Sequence, residues 1–254
     1  AKFLQPAGVV SDVSGHVYVA DSANNRIRKI SPAGEVTTIA GSAQGAADGT
    51  GTGASFNYPV GIAIDASGHL YVAEWSNHRI RKITPNGVVS TWVGSSQGYA
   101  DGTGTGASFN NPSGMALDQS GNVYVADYAN HRIRKVSPAG VVSTVVGYVS
   151  GYADGVGSVA KFSNAQGVVV DDYGRVYVAD SNNNRIRKIS SSGIISTVAG
   201  NGLFGFTGDG GPGVNASLAL PVDLLQDSEN LFAGMALDAA GNLYFPDPGN
   251  NRIR

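Results

Sequence analysis

The sequence predicts an all-β fold, a β-propeller built from four-stranded antiparallel blades, and three observations lead to this prediction. Glycine supplies 36 of the 254 residues and charged residues only 14%, a composition that favours short strands and tight turns over helices. The string NNRIR or NHRIR recurs, and its first four copies are 53 residues apart. Each copy contains four short apolar runs, and a repeat of this length and content is typical of a propeller blade.

The second copy shows the elements of one unit. In order, it predicts a strand over 61–65, a turn over 66–68, a strand over 70–73, a polar loop over 74–78, a strand over 79–84, a Pro-Asn-Gly turn, a strand over 88–93 and a glycine-rich linker over 94–112. The first two strands are short apolar runs, and the fourth is rich in β-branched residues. The Pro-Asn-Gly sequence is a strong turn signal. No 10–15-residue helical period separates the strands, so the pattern excludes a doubly wound α/β fold.

The repeated motifs resemble a known family. The string VYVADSANNRIRKI over 17–30 and the linkers ADGTGTGASFNYP over 47–59 and GDGGPGVNASLALP over 208–221 resemble NHL repeats in the long-linker form common in bacterial proteins. The resemblance covers nearly the whole chain and implies a propeller, usually with six blades. Proteins of this family serve as binding modules, sensor ectodomains and, in some cases, lyases or lactonase-like enzymes, so the fold alone does not fix the function.

The last two repeats depart from the regular spacing. Arg185 and Arg252 are 67 residues apart instead of 53, and residues 221–232 can be aligned with the start of the second copy. We therefore expect a single domain over 1–254 whose six blades start near residues 7, 60, 113, 166, 222 and 233, with the fifth and sixth blades incomplete. About 41 residues are then missing between 232 and 233 and about 25 after 254, because a blade of this propeller needs the full repeat. The alternative is an insertion of about 11 residues in a five-bladed or partner-completed ring.

Residues that recur in every copy are predicted to belong to the scaffold. These include the acidic residue before the polar loop and the arginine pair that follows it. The Asp-Gly pairs of the linkers are interpreted as Asx turns, with a Ca²⁺ site as the alternative, because each linker offers only one carboxylate. The histidines occupy positions where other copies carry asparagine or arginine, which indicates loop hydrogen bonding rather than metal binding. They are His16, His69, His78 and His131.

Residues that differ between copies are the candidates for ligand binding. In propellers the loop between the second and third strands and the linker between blades meet at the mouth of the central channel. Trp75, Tyr128 and Tyr58 are expected to form an aromatic wall there, a surface suited to sugars, peptides or partner side chains. Polar candidates at the same mouth are Asn111, Asn164, Gln166 and Asp223. No catalytic residue and no metal ligand is assigned.

Composition and motifs narrow the function. A net charge of −2 without a basic cluster argues against nucleic-acid binding, and no apolar run is long enough for membrane insertion. There is no cysteine and no G-x-S-x-G motif. We expect a non-catalytic module that binds protein, peptide or glycan, outside the cell, in the periplasm or at the cell surface, and that forms part of a longer polypeptide or larger assembly. The alternative is a lactonase- or lyase-like enzyme with a divalent metal at the channel.

Overall fold

The computed structural model describes residues 1–220 and 234–254. It contains four complete blades, each an antiparallel sheet whose four main strands follow chain order from the channel outwards. Blade one comprises β1 (Pro6–Ser11), β2 (Val17–Asp21), β3 (Arg26–Ile30) and β4 (Val36–Ala40). Blade two comprises β6 (Pro59–Ile64), β7 (Leu70–Glu74), β8 (Arg79–Ile83) and β9 (Val88–Val93). Blade three comprises β11 (Pro112–Leu117), β12 (Val123–Asp127), β13 (Arg132–Val136) and β14 (Val141–Val146). Blade four comprises β16 (Ala165–Val170), β17 (Val176–Asp180), β18 (Arg185–Ile189) and β19 (Ile194–Ala199).

Each linker between complete blades adds a two-residue strand to the blade that it enters. We number the linkers one to four, over residues 41–58, 94–111, 147–164 and 200–220. The added strands are β5 (Gly49–Thr50), β10 (Gly102–Thr103) and β15 (Gly155–Val156). They pair with β9, β14 and β19, the outermost strands of blades two, three and four. The linkers therefore cover part of each outer edge, where unpaired backbone groups would otherwise face solvent.

Local sequence explains how each blade folds. Between β6 and β7, the carboxylate of Asp65 accepts hydrogen bonds from the backbone N–H groups of Ser67 and His69, each at 2.9 Å. Gly68 follows with φ +80, a conformation that glycine adopts without strain. The helical segments of the described ranges are three-residue 3-10 turns, and none is long or apolar enough to cross a membrane.

The core lies between neighbouring blades. On the side that faces blade one, Ile62, Val72 and Ile83 pack against Ile27 and against Phe56 of linker one. The innermost strands approach one another closely at a glycine of each blade. A Cβ atom on Gly61 would overlap the carbonyl oxygen of Ser113 in the next blade, so the recurring glycine lets adjacent β6 and β11 pack backbone to backbone.

Residues 234–254 form part of a fifth blade. Its strands are β20 (Ala236–Leu237), β21 (Leu243–Tyr244), β22 (Pro246–Asp247) and β23 (Arg252–Ile253). Asp247 Oδ1 accepts the backbone N–H of Ala219 at 2.7 Å, as Glu74 accepts that of Asn57 at 2.9 Å in blade two. Phe245 packs on Ile186 of blade four. The segment predicted to start the sixth blade therefore occupies the fifth position, because linker four binds it through Ala219.

The predicted blade count differs from the observed one. The described residues hold four complete blades and part of a fifth, not six. The predicted start near 222 and the predicted break between 232 and 233 lie outside the described residues. Blade one has an open face, where Val9 is 62% exposed although the equivalent Ile62 of blade two is 4% exposed. The partial fifth blade also has one, where Ile253 is 71% exposed and the equivalent Ile80 is fully buried.

Candidate functional site at the channel mouth

The channel mouth lies on the face where the linkers meet the loops between second and third strands, which we call the top face. In blade one the loop ends at Asn25, whose Oδ1 accepts the backbone N–H of Tyr58 from linker one at 2.8 Å. In blade two His78 Nδ1 accepts the N–H of Asn111 at 3.1 Å. In blade three His131 Nδ1 accepts that of Asn164 at 3.1 Å. Each loop is thereby fixed to the end of the following linker.

A buried ion-pair network holds each linker in place. Arg81 Nη1 lies 3.2 Å from Glu74 Oε2, and Arg81 Nη2 lies 2.6 Å from Asp48 Oδ1 of linker one. The arginine and the glutamate are fully buried, and the arginine stacks on Phe56. The same arrangement recurs as Arg134 with Asp127 and Asp101, Arg187 with Asp180 and Asp154, and Arg254 with Asp247 and Asp209.

This network, which we call the latch, shows which group each linker aspartate binds. The interpretation of Asp48 and its equivalents as Asx turns is wrong, because their carboxylates pair with a buried arginine on the blade ahead. Asp180 shows the electrostatic setting of the latch. Burial raises its pKa to about 6, against hydrogen bonds from the backbone of Ser163 and from Asn183 and Arg187 that lower it. The latch recurs in blades two to five and fixes the linkers that enter them, so it is scaffold.

The last linker residue before each innermost strand has left-handed backbone geometry. The φ angles are 49° at Gln5, 55° at Tyr58, 54° at Asn111 and 55° at Asn164. This conformation is rare for residues other than glycine and asparagine, and at Tyr58 it costs on the order of 1–3 kcal/mol. The side chain at this position is glutamine in blade one, tyrosine in blade two and asparagine in blades three and four, so the group that this backbone presents varies between blades.

Four of the predicted site residues are brought together at the mouth. The rings of Trp75 and Tyr128 lie 4.9 Å apart between centroids. The Trp75 backbone N–H donates to the Tyr58 carbonyl at 3.1 Å, and Asn111 Nδ2 donates to the Trp75 carbonyl at 3.0 Å. Tyr58 Oη donates to Gln5 Oε1 at 2.9 Å. Tyr58, Trp75 and Asn111 are half-buried, whereas Tyr128 is buried and contacts the tryptophan ring.

The other predicted residues lie apart from this group. Asn164 belongs to the next blade, where its Oδ1 accepts a hydrogen bond from Asn182 Nδ2 at 3.1 Å. Gln166 is buried in the innermost strand of blade four, where it lines the cavity at the centre of the ring. Asp223 lies outside the described residues. The described part of the predicted wall is therefore a cluster in blades two and three.

The central cavity has a volume of about 740 Å³ and is lined by the innermost strands. Its lining includes Met115, Leu117 and Val170. Among the described residues, the lining contains no carboxylate, histidine or cysteine. No group of three or more potential metal-binding side chains occurs anywhere in residues 1–220 and 234–254. An apolar cavity of this kind favours apolar groups over charged ones.

Sequence reasoning missed a second set of aromatic residues on the top face. The linkers carry Ala46, Tyr99, Tyr152 and Phe206 at one equivalent position. Tyr99 of linker two and Tyr148 of linker three both stack on Arg132, at 4.7 and 5.2 Å from its guanidinium carbon. The signal was present, because this position varies between copies in the same way as the mouth residues.

Comparison with known proteins identifies the repeat. The NHL repeat matches four stretches of the chain, residues 3–30, 56–83, 109–136 and 162–189. Each stretch runs from the end of a linker to the end of a third strand. This chain belongs to the NHL-repeat proteins. Its NHL repeats coincide with the four complete blades of the propeller.

Three relatives place this NHL-repeat chain in context. It is 32% identical over 151 residues to NHL repeat-containing protein 2 of Gallus gallus, a match that covers 53% of this chain and 21% of that protein. The chain spans about a fifth or less of the curated relatives that it matches. An auxiliary nutrient binding protein from Bacteroides ovatus superposes with a TM-score of 0.70 at 16% identity, covering 100% of this chain and 59% of the other. A streptogramin B lyase gives 0.64 at 14% identity, covering 98% and 64%. These two likenesses support the propeller fold.

Proposed function

We propose that this NHL-repeat chain is a non-catalytic binding module that holds a protein, peptide or glycan on its top face. The observation that carries the proposal is the division between constant and variable residues. The latch recurs in blades two to five, whereas the strained position before the innermost strand carries Gln5, Tyr58, Asn111 and Asn164. A rigid scaffold that displays differing side chains at one rim is suited to recognition.

The cluster around Trp75 has the composition of a binding site. It combines two aromatic rings with the amide of Asn111 and the hydroxyl of Tyr58, and each group is fixed by a hydrogen bond or ring contact. Because these side chains are ordered before a ligand arrives, binding requires little loss of conformational entropy. The adjoining cavity accepts an apolar side chain.

Two of the similar structures bear on the setting of this function. One is an auxiliary nutrient binding protein of a Bacteroides species, which supports a binding role and a location outside the cell, in the periplasm or at the cell surface. The other is a streptogramin B lyase, which keeps an enzyme with a channel metal as the alternative. That alternative needs ligands beyond the described cavity, and Asp223 is its candidate. Turnover of a lactone panel with added Ca²⁺, abolished in Asp223→Asn, is the result that would favour it.

We also propose that the working ring has six blades. The count of six comes from the family resemblance. The open faces at Val9 and Ile253 support blades beyond the described ones, since each is the counterpart of a face that is buried between described blades. An exposed blade face is unfavourable because it leaves apolar side chains in water. Counting blades in electron microscopy images of the purified full-length protein tests the proposal, and a ring of five or seven blades would overturn it.

The chain itself supplies matched substitutions for testing the mouth. Ser22 and Ser181 occupy in blades one and four the position of Trp75 and Tyr128, so Trp75→Ser and Tyr128→Ser replace each ring with a residue that the fold accepts. Ligands are first selected from a glycan array and a displayed library of random twelve-residue peptides. Titration calorimetry then compares the native chain with the double variant. We expect an affinity loss of at least about tenfold, as for aromatic hot spots, and equal affinities would contradict the proposed site.

A further inference from the structure

Linkers two to four carry an exposed row of bulky apolar side chains on the top face. We define this linker ridge by Tyr99, Tyr148, Tyr152, Leu203, Phe204 and Phe206. Tyr99 is 64% exposed, and Leu203 and Phe204 are each 67% exposed. Val149 extends the ridge and is also exposed. So many large apolar side chains on adjoining loops mark an interaction surface more often than a solvated one.

Arginines connect the parts of the ridge. Arg132 lies between the rings of Tyr99 and Tyr148. Arg185 stacks on Tyr152 at 3.8 Å from the ring centroid, and its Nη2 donates to the carbonyl of Asn201 in linker four at 2.8 Å. Arg252 stacks on Phe206 at 3.8 Å. The ridge therefore alternates aromatic rings with guanidinium groups across blades three, four and five.

The charge on these guanidinium groups is not compensated within the described residues. None of Arg132, Arg185 and Arg252 has a carboxylate within 4.0 Å there, whereas Arg79 in blade two pairs with Glu74 at 2.6 Å. Blades three to five carry an aspartate where blade two carries this glutamate. The aspartate side chain is one methylene shorter and pairs with the latch arginine instead of the outer one. Within residues 1–220 and 234–254, the outer arginine therefore keeps its positive charge beside exposed rings.

Linker one lacks the bulky apolar side chains of the ridge. It carries Ser42, Ala43 and Ala46 at the positions of Tyr148, Val149 and Tyr152 in linker three. Its latch is nevertheless the same, with Asp48 bound to Arg81 at 2.6 Å as Asp154 is bound to Arg187. The linker fold therefore does not require the aromatic residues. Their presence in linkers two to four needs a different explanation.

We propose that the linker ridge is a docking surface for an acidic peptide segment of a partner protein, one that alternates carboxylates with apolar side chains. Tyrosine and arginine are among the residues most enriched at the energetic centres of protein interfaces. The uncompensated guanidinium groups favour a partner that carries carboxylates. The aliphatic Leu203 and Val149 favour apolar side chains of a peptide over a sugar ring. This inference deepens the proposed binding function, on which it rests, and names its partner class.

The test uses the chain's own first linker as the source of substitutions. The triple variant Tyr148→Ser, Val149→Ala and Tyr152→Ala gives linker three the residues of linker one. A phage-displayed library of random twelve-residue peptides is selected on the native chain, and selected peptides are titrated against both proteins at low and at high salt. We expect sequences rich in Asp, Glu, Phe and Leu. Their affinity should fall at least about tenfold in the triple variant and should weaken with salt.

A second variant tests the charge without removing an aromatic ring. Asp127→Glu gives blade three the glutamate of blade two and should neutralise Arg132, as Glu74 neutralises Arg79. We expect it to weaken the acidic peptides severalfold and to leave the melting temperature unchanged. The reciprocal graft, Ser42→Tyr, Ala43→Val and Ala46→Tyr, controls for non-specific stickiness and should not raise affinity for an unselected peptide pool.

Three results would overturn the inference. The first is peptide affinity that is equal in the native chain and the triple variant. The second is binding of polygalacturonate, an acidic polysaccharide, that is lost in the triple variant while no peptide is selected. The third is peptide affinity lost in the Trp75→Ser and Tyr128→Ser double variant but kept in the triple variant, which would preserve the proposed function and place its site at the mouth alone.

Discussion

Linkers one and three follow the same backbone path but expose different kinds of side chain. Both form a parallel bridge to the phenylalanine that precedes the next blade, Gln44 to Phe56 and Ser150 to Phe162, and both latch an arginine of that blade. Linker one exposes small side chains, whereas linker three exposes Tyr148 and Tyr152. The difference separates what holds the propeller together from what the propeller displays.

The largest loss of stability is expected from substitutions in the latch, which both linkers share. Arg187→Met leaves the fully buried carboxylate of Asp180 without its charge partner. It should lower the free energy of unfolding by about 3–5 kcal/mol, measured by urea denaturation. In Arg81→Met the carboxylate of Glu74 keeps Arg79 as a partner at 2.6 Å, so the loss should be smaller by at least about 1 kcal/mol. Equal losses in the two variants would show that Arg79 does not compensate the charge of Glu74.

A smaller effect is expected at the exposed end of the latch. Asp48→Ala removes one charge-assisted hydrogen bond to Arg81 and Asp154→Ala removes two to Arg187, and each arginine keeps its buried partner. We expect each to cost about 1 kcal/mol of unfolding free energy. The linker should also exchange its amide hydrogens faster in both variants. If stability is unchanged in both, the linker aspartates are surface ion pairs of no energetic weight.

The histidines that fix loops to linkers predict an acid sensitivity. His78 and His131 accept backbone hydrogen bonds through Nδ1, and burial lowers the pKa of both below the ordinary 6.5. The unfolded chain therefore binds protons before the folded chain does. The stabilisation that the two neutral histidines provide is complete above pH 6.5. It is lost as the pH falls through their lowered pKa values in the folded chain.

Asparagine performs the same task at Asn25 and Asn184 without titrating. The double variant His78→Asn and His131→Asn should therefore lose less stability than the native chain between about pH 7 and about pH 5. The difference should be below about 1 kcal/mol, since both rings are partly solvated. Asp180, whose pKa burial raises to about 6, is present in both proteins and cancels in the comparison. Identical pH profiles would contradict the assigned role of these rings.

A comparably small effect on stability is expected from replacing the exposed side chains of linker three. The triple variant Tyr148→Ser, Val149→Ala and Tyr152→Ala should change the unfolding free energy by only about 1 kcal/mol, because these side chains are exposed and lose only surface contacts with arginines. Thermal and urea unfolding provide the measurement. A loss of several kcal/mol would mean that the rings stabilise the fold.

The strands of each blade were predictable because their signals are local. The predicted strands over 61–65 and 88–93 correspond to Pro59–Ile64 and Val88–Val93, since alternation and turn residues act within a few positions. The role of Asp48 was not predictable in this way, because its partner Arg81 lies 33 residues ahead. A spacing argument cannot choose between a local turn and a distant ion pair.

The candidate site was predictable only in part. Variation between copies indicated Trp75 and Tyr128, which the structure places in ring contact. The same criterion applied to the linkers would have found Tyr99 and Tyr152, but the stacking on arginines depends on how neighbouring blades meet. The position of residues 234–254 in the ring was not predictable for a related reason. Contacts made by linker four, rather than chain length, decide which segment follows blade four.

Hydrogen–deuterium exchange with and without a selected peptide shows directly whether variable side chains on a constant scaffold bind the partner. We expect slower exchange in residues 148–152 and 203–206 and at the mouth, with residues 42–47 of linker one unchanged. Protection that is equal in linkers one and three, or confined to the strands of the channel, would contradict this division between scaffold and display.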